Sequence, residues 1–289
     1  RDHLVGIHTL ASNVLAISCA ERLGINHPIR RIMKPHTYGT VSINIGASAY
    51  LFSEGGLLHR ATGLTFKGII DGFKHAFDHR RYQTTENLVK SRGMFNASPA
   101  LYPWGTDFLK FSEIVYNYIN DYIDKYYPTE KSIYEDKELL DFWEGLHRFK
   151  DSQVPELENK NVLKTVLSDF IVYVTGLHNH VGNVAEYLSD PKHGCSSKLD
   201  SGAGSVASIQ SSFQMVNIAL LTATKQPMLI DNYEHLLLKD EHYDDNVKNM
   251  RTFQSNLKQF AADIVNANKD RRFKTRSFDP TMMTAGVSI

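Results

Sequence analysis

The chain has 289 residues, 42% hydrophobic and 22% charged, a length and balance that suit one sizeable apolar core. Lysine plus arginine and aspartate plus glutamate both number 32, so net charge points to neither nucleic acid nor an acidic partner. The only cysteines, Cys19 and Cys195, exclude a disulfide framework and a thiolate metal site. They fit a reducing compartment, and a cytoplasmic location is the expectation.

The chain opens "RDHLVGIHTLASNVLAISCAERLG", without Met or an N-cap and already in helical pattern. It reads as a chain whose N-terminal part lies upstream. Residues 2–24 are predicted to form a helix closed by Gly24. "INHPIRRIMKPH", with a proline near each end, predicts a short helix between turns. In "TVSINIGASAYLF" helix and strand compete. "GLTFKGIIDGFKHAFDHRRYQTT" predicts one or two short helices. The clearest long helix is "LYPWGTDFLKFSEIVYNYINDYIDKYY", where Phe108, Phe111, Ile114, Val115, Tyr118, Ile119 and Tyr122 recur at three- and four-residue steps. Asp107 is read as its first-turn acid.

"DKELLDFWEGLHRF" predicts a further amphipathic helix, and "ENKNVLKTVLSDFIVYVTGLHNHVGNVAEYL" a long, buried central one. After a loop, "SDPKHGCSSKLDSGAGSVASI", come helices in "SSFQMVNIALLTAT" and "DDNVKNMRTFQSNLKQFAADIVNANKD". The tail "RRFKTRSFDPTMMTAGVSI" is irregular. No repeat or linker divides the chain, and no run approaches the roughly 20 unbroken apolar residues of a membrane span. The pattern is mostly helix around one core.

Thirteen histidines are the unusual feature of the composition. His3 and His8 are five positions apart, which on a regular α-helix directs them about 140° from one another. A π-turn, with its i→i+5 hydrogen bonds, brings such a pair onto one face; without it they are two unrelated polar positions. "LHNHVGN" places His178 and His180 late in the central helix, either as metal ligands or as polar capping residues. Asn183 offers an amide oxygen. The C-terminal Ile289 carries the α-carboxylate, a hard oxygen ligand that, if buried, needs a partner for its charge.

Together these features resemble the C-terminal half of the lipoxygenase catalytic domain. "HLVGIH" resembles the family's paired metal histidines, and "NHPIRRIMKPHTYGTVSINIGASAYLFSEGGLL" its HPI…PH…IN…A…L…GG stretch. "YPWGTDFLKFSEIVYNYINDYIDKYY" with "DKELLDFW" resembles the next block, and "TGLHNHVGN" falls at the third histidine ligand. The likeness is collinear over almost the whole chain, making residues 1–289 the later part of such a domain, with an upstream part and any lipid-binding β-sandwich absent from them.

The resemblance implies a mostly α fold with long buried central helices around a non-haem metal. It implies a ligand set of His3, His8, His178, Asn183 and Ile289, holding iron, with manganese as the alternative. Ala47 matches the small position that accompanies S-configured products, and Leu51 and Leu221 match two leucines that clamp the substrate. The implied activity is dioxygenation of polyunsaturated fatty acids bearing a 1,4-pentadiene, with dioxygen as co-substrate, to lipid hydroperoxides. No side chain is given a chemical step of its own; that falls to a hydroxide on the metal. Peripheral membrane association of the whole protein is a further expectation.

Two positions depart from the family pattern. Gly182 stands where the fourth side-chain ligand is expected, leaving Asn183, His180 or water for that place, and Ala185 replaces an expected glutamine. These departures keep two other readings open, a fatty-acid hydroperoxide isomerase and an inactive lipid-binding protein with a decayed metal site. "DSGAGS" lacks the Lys-Ser/Thr of a phosphate loop. "KDRRFKTR" is read as a solvated segment, and neither H-E-x-x-H nor G-x-S-x-G occurs.

Overall fold

A computed structural model describes residues 2–56, 58–59, 63–79, 81–93, 96, 98–148, 154–179, 226–275 and 283–287. Among the described residues the fold is helical, and the only β pairing is an isolated antiparallel bridge between Met228 and Thr284. Helix α1 begins as a π-helix, Asp2–Ser12, and continues as an α-helix, Asn13–Arg22. It is followed by α2 (Pro28–Thr37), α3 (Thr40–Tyr50), α4 (Phe66–His79) and α5 (Thr85–Ser91). Then come α6 (Pro103–Tyr126), α7 (Glu130–Glu135) and α8 (Lys137–Leu146). Helix α9 is α-helical over Lys160–Val172 and π-helical over Tyr173–Leu177, and α10 spans Tyr243–Asp270.

Side chains that satisfy the orphan N–H groups of the first turn start several of these helices where the sequence dictates. Thr84, Thr129, Asp136 and Asn159 accept from the backbone N–H of Asn87, Ser132, Leu139 and Val162. The competition in "TVSINIGASAYLF" resolves to helix: Ile43 and Ala47 face inward while Val41 and Ile45 are exposed, a helical rather than an alternating pattern of burial. The short α7 is an element that sequence periodicity did not single out.

Helix α6 is the centre of the molecule, packed on one side by α9 and on another by α10, while α1 lies against α8. Phe108, Phe111, Val115, Ile119 and Tyr122 of α6 are all essentially inaccessible. Lys164 of α9 is also buried, its Nζ donating to Asn120 Oδ1 at 2.7 Å and to both Asp124 oxygens at 2.8 Å. These bonds let the cation sit in the α6–α9 seam with its charge compensated. Gly176 permits closer approach: a Cβ there would lie 2.7 Å from the Phe111 ring, so only glycine lets the π segment of α9 settle on α6.

Asp107 is not a first-turn acid. Helix α6 starts at Pro103, which places Asp107 beyond the first turn, and its carboxylate is buried. It accepts from Arg271 Nη1 at 2.7 Å, Arg271 Nη2 at 2.9 Å and Thr275 Oγ1 at 2.6 Å. This bidentate pair ties the chain after α10 to the start of α6.

His3–Arg22 has the length and apolarity of a membrane span, although no unbroken apolar run marks it in the sequence; 67% of that stretch is buried against the rest of the protein. Burial on that scale accounts for its apolarity as a core helix.

A candidate metal centre

The π-helical start of α1 is longer than the single π-turn that would bring His3 and His8 onto one face. It covers 11 residues, and the side chains at i and i+5 fall on one face, as the Thr9 hydroxyl bonding back to Leu4 O at 3.0 Å also shows. His3 and His8 are therefore neighbours, with Nε2 atoms 3.1 Å apart. The second π segment, Tyr173–Leu177, ends immediately before His178. The two π segments pack together, and His178 Nε2 lies 3.1 Å from His8 Nε2.

The three rings form a nearly equilateral triangle, with centroids 4.8, 4.9 and 5.0 Å apart and planes inclined by 59–70°. One ligand atom from each histidine lies within 4.8 Å of the others. For the two pairs 3.1 Å apart, His3–His8 and His8–His178, donors meeting an ion at right angles would each sit about 2.2 Å from it, close to the ~2.0–2.1 Å of imidazole–zinc bonds. His178 is completely buried and His8 nearly so.

The protonation state of His8 follows from its partners. The Asn44 amide nitrogen donates to His8 O at 3.0 Å and to Asn13 Oδ1 at 2.6 Å. Its oxygen therefore faces His8 Nδ1, 2.8 Å away. An amide oxygen only accepts, so Nδ1 carries the proton and Nε2 presents a lone pair to the other two rings. Burial depresses the His8 pKa, with the Asn44 bond opposing. Burial, aided by His8, brings His3 down to about 4. Neutral imidazoles are the ligating form, so this donor set fits a borderline transition-metal ion.

Asn44 is the residue the sequence reading missed. It belongs to the quoted "IN" of the α3 stretch but was given no role; an amide between Ile43 and Ile45 in a half-buried helix is the signal that it has a specific partner. Asn44, which meets His8, is followed at helical spacing by Ala47 and Leu51. Ala47 is buried, and Leu51 is half-buried with its N–H bonded to Ala47 O at 2.7 Å.

The C-terminal segment runs beside the cluster. Leu229 N–H donates to Met283 O and Ala285 N–H to Pro227 O, both at 2.8 Å. His36 Nδ1 donates to Ala285 O at 2.6 Å. Asn179, adjacent to His178, meets Thr284 at 3.5 Å through both its amide nitrogen and its oxygen. A Cβ on Gly286 would stand 2.9 Å from His36 O, so the segment passes close beneath α2. His180, Gly182, Asn183, Ala185, Leu221 and Ile289 lie outside the described residues, as do the predicted loop after the central helix and the helix in "SSFQMVNIALLTAT".

Comparison with known proteins gives one consistent relationship. The lipoxygenase family profile matches residues 2–189. The polyunsaturated fatty acid lipoxygenase ALOX15B of Rattus norvegicus is 23% identical over 309 residues, covering 99% of this chain and 45% of the relative. Lipoxygenase 7, chloroplastic, of Oryza sativa subsp. japonica is 27% identical over 215 residues, covering 65% of this chain and 23% of the relative. Among solved structures, a Delta413-417:GS LOX in complex with arachidonate superposes with a TM-score of 0.81 at 21% identity, covering 100% of this chain and 46% of that one. A coral 8R-lipoxygenase does so at 0.78 and 19%, covering 99% and 46%. Like these structures, the described fold is mostly helical, and the chain spans about half the length of the full-chain relatives it matches. With its profile match covering most of its length, the chain belongs to the lipoxygenase family.

Proposed function

We propose that residues 1–289 form the C-terminal part of a catalytic domain that dioxygenates polyunsaturated fatty acids to S-configured hydroperoxides at a non-haem iron. The observation that carries this reading is the convergence of His3, His8 and His178 Nε2 atoms from two π-widened helices. In the proposed site these three imidazoles hold the metal, with Asn183 and the Ile289 carboxylate completing the set. Iron bound there supplies the one-electron oxidation needed to activate a doubly allylic C–H bond.

The protein's own contribution is positional. Asn44 holds His8 in the tautomer that offers Nε2. Three uncharged ligands add no negative charge to the centre, which favours an oxidising metal. Ala47 and Leu51, one and two helical turns from Asn44, are proposed to line the acyl chain's path, with Leu221 opposite. Ala47 leaves room at the position associated with S products. The contact of Thr284 with Asn179 supports Ile289 as a ligand, since the tail runs beside the residue next to His178.

In the full protein, His178→Ala is expected to abolish both iron binding and conjugated-diene formation from linoleate, as loss of a direct ligand should. Retained iron and diene formation would reject the assignment. Iron-free wild-type protein would favour a lipid-binding role, and turnover of hydroperoxide but not of fatty acid would favour an isomerase.

A further inference from the structure

On the side of α3 away from its site-facing end is a cleft of about 300 Å³ that none of this chemistry uses. Its walls include Arg30, Arg31 and Lys34 of α2 and the first residues of α3, Thr40, Val41 and Ser42. Among the described residues none of the three cations meets a carboxylate. Arg30 donates to the Leu23 and Ala20 carbonyls, Arg31 Nη2 donates to Asn26 Oδ1 at 2.6 Å, and Arg31 Nε is buried with no partner. The N-cap of α3 is Gly39, which provides no side-chain cap, so the first-turn N–H groups are left to another acceptor. Thr40 is wholly inaccessible, and its hydroxyl also lacks a hydrogen-bond partner.

We infer that this cleft binds a phosphate group. Positive charge, guanidinium forks, an uncapped helix N-terminus and an unsatisfied buried hydroxyl all call for the same ligand, a compact oxyanion with several acceptor oxygens. Cys19 also lines the cleft, but burial pushes its thiol up to about 12, so the site binds an anion and performs no thiol chemistry. The phosphate has two sources of the same chemistry, a soluble phosphomonoester or the headgroup of a phospholipid.

The test titrates the full protein with inorganic phosphate at ionic strength held constant with sodium chloride and follows thermal unfolding. A parallel arm measures co-sedimentation with phosphatidylcholine vesicles with and without phosphatidic acid. Phosphate is expected to raise Tm to a plateau. Arg31→Gln/Lys34→Gln should weaken it by about tenfold or more, as loss of charged hydrogen bonds to an anion does. Thr40→Val should leave phosphate-free Tm unchanged or higher, because the buried hydroxyl has no partner to lose, yet should also weaken phosphate binding; a purely structural threonine would not separate the two. Sedimentation with phosphatidic acid that phosphate competes away identifies a headgroup source, and its absence alongside a phosphate-dependent Tm identifies a soluble one. An equal Tm rise with chloride alone, or an unchanged phosphate response in both variants, overturns the inference.

Discussion

Asn44→Leu is the sharpest perturbation of the centre that leaves every ligand in place. It removes three hydrogen bonds at once: from His8 Nδ1 at 2.8 Å, to His8 O at 3.0 Å and to Asn13 Oδ1 at 2.6 Å. Each part-buried bond lost with its partner left behind costs about 1 kcal/mol, so the fold should lose about 3 kcal/mol. Without its acceptor, His8 is free to adopt the other tautomer or turn its ring, and loss of such an outer contact typically lowers metal affinity by about 10- to 100-fold. Asn44→Asp separates the two effects. It keeps an acceptor for Nδ1–H but has no donors, so it should retain metal affinity while still losing stability. Competition with a chelator reads affinity, and urea unfolding of the metal-free protein reads stability. If Asn44→Leu binds metal within twofold of wild type, or if the Asp variant is as poor as the Leu variant, the tautomer argument fails.

The His36 imidazole is held at about 4 by burial, with the bond to Ala285 O opposing, against 6.5 in an open chain. The unfolded state therefore takes up the proton first, and this contribution to stability is whole above pH 6.5 and lost as pH falls toward 4, by about 3 kcal/mol in all. Urea midpoints at pH 7 and 4.5 should fall less steeply in His36→Gln than in wild type; identical slopes would contradict the assignment. Asp107→Ala leaves the Arg271 guanidinium, itself largely buried, without its carboxylate, and removal of one partner from a buried pair costs about 3–5 kcal/mol. An unfolding free energy lowered by under 1 kcal/mol would show the pair to be dispensable.

How much of this was legible in the chain depends on how far each residue's partner lies from it. Helix α6 was readable because its apolar positions repeat within the segment itself. Helix α3 was not, since Val41, Ile43 and Ile45 favour a strand locally and only contact with α1 selects the helix, through Asn44 and a partner 36 residues away. The His3–His8 spacing left open a widened turn or two unrelated positions; the structure has the widened turn, and its extension to Ser12 leaves no mark on the periodicity. Asp107 was misread because Pro103 starts the helix early and the acid's partner is 164 residues distant. The His36–Ala285 bond spans 249 residues, and nothing near "KPH" or "TAGVSI" announces the other.

That last bond bears on how the proposed centre is assembled. Val287, two residues before the end, is completely buried, and two extended residues reach at most about 7 Å. The residues before it are held by Pro227, Leu229, His36 and Asn179, none of which is a proposed ligand. Docking of Met283–Val287 is therefore carried by backbone and side-chain contacts of its own. The π-widened start of α1 sets His3 and His8 on one face through its backbone geometry. On this reading the contacts that hold Met283–Val287 and the side chains that converge on the three imidazoles are different sets of residues, so tail docking and metal affinity can be perturbed separately.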